Sequence, residues 1–224
     1  MTAVRDDLAE AHELAWRHVA RPGSWWTGAQ RVELARTALL AIAADDPLPP
    51  WVAASMSDVL PAERLAPDVA HDVVYRIARH AGTMTADVYR HAADELGALA
   101  YVELCGIVST VAAVAHFCRN IGVAVPGLPA PLPGDPTREQ PGEIGRAELN
   151  WVPVAAPADR VAAVVQAYTA VPGEQENTWR MADAQYMPVD EMVHPDWMRR
   201  ADGLTRPQTE LVAARVAQLR ECFY

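Results

Sequence analysis

The chain has 224 residues, with 51% apolar and 21% charged residues, the make-up of a globular protein long enough to bury a substantial core. Its net charge of −10 argues against a nucleic-acid partner, because a phosphate-binding face needs a basic patch and none stands out beyond Arg199-Arg200. All 19 basic residues are Arg, which excludes a lysine Schiff base and a P-loop lysine.

Abundant alanine and short β-branched runs favour helix, and the fold class expected is all-α. The spacing predicts a helix over 5–20, with Leu8, Ala11, Leu14, Ala15 and Val19 on one side, broken by Arg21-Pro-Gly-Ser. Trp25-Trp26 precede a second helix over 28–44 carrying Val32, Leu34, Ala35, Leu39 and Ile42. Paired tryptophans at a helix start read first as buried area and second as a pocket wall. Asp45-Asp-Pro-Leu-Pro-Pro is a loop, with a short helix expected over 51–58. Helices follow at 67–79, stopped by Gly82, and at 85–96, interrupted by Gly97. The segment 99–120 is apolar around well over half its circumference and is expected to be a buried central helix. From Val125 the proline-punctuated run reads as an extended, semi-rigid connector. Helix resumes over 159–171, with Val161, Val164, Val165 and Tyr168 inward, until Pro172-Gly173. Residues 174–186 are expected to be helical, with a short helix around 195–201 and a last helix from about Pro207 toward Cys222.

The last helix places Leu211, Val212, Val216 and Leu219 on one face, with Glu210 at its start and Cys222 near its end. The run Pro207-Gln-x-Glu210-Leu-Val, followed by Glu221-Cys222-Phe-Tyr, resembles the alkylhydroperoxidase D-like and carboxymuconolactone decarboxylase-like families. Arg21-Pro-Gly-x-Trp-Trp-Thr-Gly-Ala-x-Arg-Val resembles the N-terminus of the longer, two-repeat members. In the peroxidase branch a Glu precedes a Cys-x-x-Cys motif by about three helical turns, and a His follows the second Cys. Glu210 matches that Glu and Cys222 matches the first Cys; the second Cys would follow Tyr224, so the motif reads as cut within itself.

An internal repeat is expected as well. Glu103 set over Glu210 overlays two Glu-Leu steps, each opening a helical apolar stripe, at an offset of 107 residues. Cys222 then lands on Ala115, and Cys118 on the position after Tyr224. The organisation expected is therefore a first, degenerate repeat over 1–125, a Pro-rich connector over 126–158, and a second repeat over 159–224, incomplete after Cys222.

Dithiol peroxidase chemistry needs a thiolate, a proton relay and a resolving thiol. The resemblance implies Cys222 as nucleophile and Glu210 as relay, with Glu103, His116 and Cys118 as degenerate counterparts in the first repeat. The carboxylate of Tyr224 beside Cys222 favours the neutral thiol. His116 and Cys118 are too closely spaced to share a helix face, and Cys118, on the apolar stripe, reads first as a small, inert core hydrophobe. Glu103 reads equally as a first-turn Glu placed for the helix dipole. The function expected is thus that of a thiol-dependent, antioxidant-type hydroperoxidase, impaired for want of the second Cys and the His. The alternatives are a non-catalytic helical structural or oligomerisation module, and a lyase of the decarboxylase branch acting on small carboxylated lactones.

The family resemblance implies an oligomer, at least a dimer, and a thiol reductant protein as partner. Cys105, Cys118 and Cys222 are too few and scattered for a disulfide framework and suit a reducing compartment. The acidic N-terminus lacks an apolar signal segment, and no run approaches membrane-spanning length, so a cytoplasmic protein is expected. His71, His80 and His91 form no ligand set, His12 and His18 are expected at the surface, and no nucleotide motif is present. No cofactor is expected: no metal, nucleotide or flavin.

Overall fold

The computed structural model describes residues 4–44, 61, 63–146, 151–155 and 163–219. Among these residues the architecture is mostly helical, with one two-stranded sheet. The short helix expected over 51–58 lies outside the described residues.

Helix α1, Asp6–Ala20, carries Asp6 and Asp7 in its first turn and Arg17 and His18 in its last, each sign facing the favourable end of the helix dipole. Helix α2, Gly28–Ala43, is started by a capping box: the Thr27 side chain accepts from the Gln30 backbone, and the Gln30 side chain accepts from the Thr27 backbone. Helix α3, Asp68–His80, runs into a single 3-10 turn, Ala81–Thr83, so the stop expected at Gly82 is a tightening of the helix end. Helix α4, Ala86–Leu96, is capped by Thr85 and ends at Gly97. Gly97 has φ 89°, a conformation that costs a side-chain-bearing residue energy, and it lets helix α5, Ala98–Asn120, start at once in a new direction.

Helix α5 is the centre. Leu104, Ile107, Val108, Val111 and Val114 are all buried, and α1, α2, α3, α4 and the later helix Pro172–Gln185 pack on it. It is long and apolar enough to cross a membrane by composition, but 67% of its apolar window is buried inside the protein, so the packed helices account for its hydropathy.

The connector lies extended along the helices. The Trp16 indole N–H donates to Gly127 O at 3.0 Å, and the Leu132 N–H donates to Ala20 O at 2.8 Å. The N–H groups of Thr137 and Arg138 donate to Gly23 O and Ser24 O, each at 2.9 Å. The strap therefore pairs its backbone groups with the α1–α2 link. It continues into strand β1, Ile144–Arg146, antiparallel to strand β2, Pro153–Ala155, with Ile144 opposite Ala155.

The later segments depart from expectation. Residues 159–162 lie outside the described residues, and helix α6 is one turn, Ala163–Gln166, with Val164 67% exposed rather than inward. Pro172 opens the next helix instead of closing the previous one: helix α7 is Pro172–Gln185, and a proline in the first turn sacrifices no helical hydrogen bond. Met181 and Ala184 of α7 join the same core as α1–α5. The short helix expected around 195–201 is absent there; a 3-10 segment forms earlier, at Val189–Val193, where Pro188 sets the entry. Helix α8, Arg206–Leu219, has no buried residue. Leu211, Val212, Val216 and Leu219 are 54–71% exposed, so its apolar stripe is uncovered among the described residues.

Candidate functional site: a buried charge cluster

Four helices each send one ionisable side chain to a common point. Arg31 of α2 is fully buried, as is Glu103 of α5, and the two form an ion pair. The same Nη1 of Arg31 reaches Oε1 of Glu174, in the first turn of α7, at 2.8 Å. His18 of α1 completes the set, its Nε2 lying 2.8 Å from Glu174 Oε1. The remaining oxygen of Glu103 accepts the Trp25 backbone N–H at 2.7 Å, and the Trp26 indole N–H donates to Ala100 O at 2.9 Å. The two carboxylates therefore share one guanidinium, and the Gly23–Trp26 link is clasped to α5.

Two glycines make room for the cluster. A Cβ on Gly23 would run into the Glu103 carboxylate and would lie 2.6 Å from Arg31 Nη1. A Cβ on Gly106, inside α5, would lie 2.7 Å from Glu174 Cγ. Neither space admits a methyl group.

Burial pushes Glu174 toward its neutral form, but Arg31 and His18 outweigh it and hold the carboxyl down at about 2. Burial of Glu103, with Glu174 as a like charge nearby, raises that carboxyl above its ordinary range despite Arg31. Burial opposes the charge of Arg31 as well, and the two carboxylates together keep it protonated. Two acids around one guanidinium thus divide into one firmly ionised and one readily protonated, and they titrate as a unit. Burial makes Glu103 the more easily protonated of the two acids, but Arg31, Glu103 and Glu174 are 0–2% exposed, so no substrate atom reaches them in this conformation.

The residues singled out from sequence are dispersed. Glu103 and Cys118 lie on one helix fifteen residues apart, a rise of about 22 Å, so they do not form one site. Cys118 is 5% exposed, and burial raises its thiol. Cys105 is half-buried; burial pushes its thiol up to about 12, against the hydrogen bond it makes with Tyr101. His116 is partly exposed, on the same terminal part of α5 as Cys118. Glu210 accepts from the Tyr186 hydroxyl at 2.5 Å and from Arg206 Nε at 2.6 Å. The Tyr186 hydrogen bond, with Arg206 beside it, holds its carboxyl below the ordinary range. Cys222 lies outside the described residues. Glu103 and Glu210, overlaid in the repeat, occupy opposite environments: side chains 0% and 43% exposed.

His18 corrects the sequence reading: it faces Glu174 with only 19% of its side chain exposed. Glu103 also does more than serve a helix dipole, since its partner is Arg31. Arg31 and Glu174 were missed altogether. Arg31 carried a legible signal, because it falls on the same helical stripe as Leu34, Ala35 and Ala38. Glu174 carried none, since an acid in a first turn is ordinary.

A second polar chain has the order hydroxyl, imidazole, carboxylate: Thr37 Oγ1 lies 2.8 Å from His71 Nδ1, and His71 Nε2 lies 2.8 Å from Glu33 Oε1. Thr37 and His71 are each 1% exposed, and Glu33 also accepts the N–H groups of Leu65 and Ala66 ahead of α3. This chain fastens α2 to α3. Among the described residues no three His, Cys, Asp or Glu side chains converge for a metal ion. Comparison with protein-family models, with curated proteins and with solved structures finds no match.

Proposed function

We propose that the chain is an alkylhydroperoxidase D-like helical protein of the thiol-peroxidase type, whose α1–α7 body is scaffold and in which sulfur chemistry is left to Cys222. The observation that carries this is the state of the other two thiols: burial raises both Cys105 and Cys118, and a neutral thiol is a poor nucleophile. Glu103, the carboxyl nearest to them in sequence, is committed to Arg31. Glu210, by contrast, is ionised and sits at the start of the helix that leads to Cys222, in position to take a proton through Tyr186. A sulfenic acid formed at Cys222 needs a thiol to resolve it. An external thiol reductant then serves as the resolving partner, in the cytoplasm.

The test is peroxide consumption with an excess of small thiol, run on the wild type, on Cys222→Ser and on the double variant Cys105→Ser with Cys118→Ser. Slow consumption that is lost in Cys222→Ser and kept in the double variant supports the proposal. Consumption that depends on Cys105 or Cys118, or none at all in the wild type, refutes it.

A second reading has its own support. The uncovered stripe of α8 fits a non-catalytic assembly module, because four large aliphatic side chains on one helix face stay in water unless another surface covers them. No observation favours the decarboxylase-type lyase.

A further inference from the structure

A groove of about 360 Å³ opens on the other side of the Gly23–Trp26 link, walled by Trp25, Trp26, Gln30, Glu95, Pro136 and Arg138. Its volume falls within the range of small-molecule sites. The aromatic walls are pinned from behind: Glu103 accepts the Trp25 backbone N–H, and Ala100 O accepts the Trp26 indole N–H. The groove therefore has a floor set by a buried ion pair, and little ordering remains to be done when a ligand enters.

Arg138 is the unusual wall. It has φ 59°, and it is the one positive-φ residue other than glycine among the described residues. Its N–H donates to Ser24 O at 2.9 Å, so the pose is held. The result lays its guanidinium 5.1 Å above the Trp25 ring. No carboxylate pairs with that guanidinium among the described residues, although Glu95 stands on the same groove. The Trp25 indole N–H is buried and has no acceptor. The other polar walls are already engaged: Gln30 Oε1 accepts from Thr27 N–H, and Gln30 Nε2 donates to Leu65 O, each at 3.0 Å.

One cation without a carboxylate partner, Arg138, thus borders a groove that is also lined by Trp25, Trp26 and Pro136. We propose that this groove binds a small planar carboxylate, its anionic end on the Arg138 guanidinium and its apolar body along Trp26 and Pro136. A guanidinium matches a carboxylate with two parallel hydrogen bonds. Glu95 fixes the direction of entry, since it repels the anionic end from its own wall. The groove is lined by neither Glu210 nor Cys105 nor Cys118, and the proposal does not rest on the peroxidase reading.

Benzoate is the probe, followed by calorimetric titration, with neutral benzamide as its control. Wild type is expected to bind benzoate saturably in about the millimolar range and benzamide roughly tenfold more weakly. Arg138→Gly removes the guanidinium and adopts a positive φ without cost, so its melting temperature should equal or exceed that of the wild type while benzoate affinity falls roughly tenfold or more. The proposal is overturned if benzoate gives no saturable heat, or if Arg138→Gly binds it as tightly as the wild type.

Discussion

At the scale of single residues, Arg31 has to serve two masters. A lone buried guanidinium would be strongly destabilising, and one carboxylate would suffice to pair it. Two carboxylates leave an excess negative charge unless His18 is protonated or Glu103 holds a proton. Glu174 is the acid held low, at about 2 against an ordinary value of 4.5. A carboxyl whose folded-state value is depressed contributes stability above its unfolded value, and loses it as pH falls through the folded one. Acid should therefore destabilise the protein between about pH 5 and about pH 2, by an amount on the order of 3 kcal/mol. Glu103 has the opposite sign: its raised value means that ionising it costs stability as pH rises. Urea unfolding midpoints across this range separate the two. Glu174→Gln should flatten the acid limb, whereas Glu103→Gln should leave it in place; an unchanged limb in Glu174→Gln would assign the acid sensitivity elsewhere.

Elements show the same cluster from another side. Gly106 sits inside α5, where a glycine costs a helix about 1 kcal/mol relative to alanine. Local propensity therefore predicts that Gly106→Ala stabilises. The packing predicts the reverse, because the new methyl meets the Glu174 side chain, whose Cδ would be 2.8 Å away. Overpacking at a closed site costs about 1–3 kcal/mol, so a net loss is expected in denaturant titration. A gain would mean that α7 shifts away from α5 without penalty. This contact also explains why α7 belongs to the main body, since its first turn is tied to α1 and α2 by charge and packs on Gly106 of α5 before Met181 and Ala184 meet the core. Helix α8 has no such tie. Its fastenings are at its start, where Arg206 donates to Met192 O at 2.9 Å and Glu210 meets Tyr186.

For the whole molecule, the contrast between α5 and α8 decides what to test. The overlay of Glu103 on Glu210 pairs a core helix with one that has no buried residue. If the α8 stripe is the surface for a second copy, wild type should sediment as at least a dimer, and Leu211→Glu with Val216→Glu should lower the mass. The same changes should move the unfolding stability of the body by no more than about 0.5 kcal/mol, since Leu211 is 71% and Val216 54% exposed. A wild type that is monomeric at all concentrations would remove the assembly reading and leave the stripe unexplained.

The amino-acid pattern alone determined the helical class, the extents of α1 to α5 and the central place of α5, because hydrophobic spacing is a local record of which face will be buried. It misplaced the helices around Pro172 and residue 195, where one proline is compatible with either a start or a stop. Tertiary structure alone decided the partners: Arg31 meets Glu103 and Glu174 across 72 and 143 residues, and His18 meets Glu174 across 156. Nothing in a single sequence marks such pairs: the apolar stripes around Arg31 and Glu103 signal that each is buried, but only packing removes the water around a charge and leaves the opposite charge as its replacement.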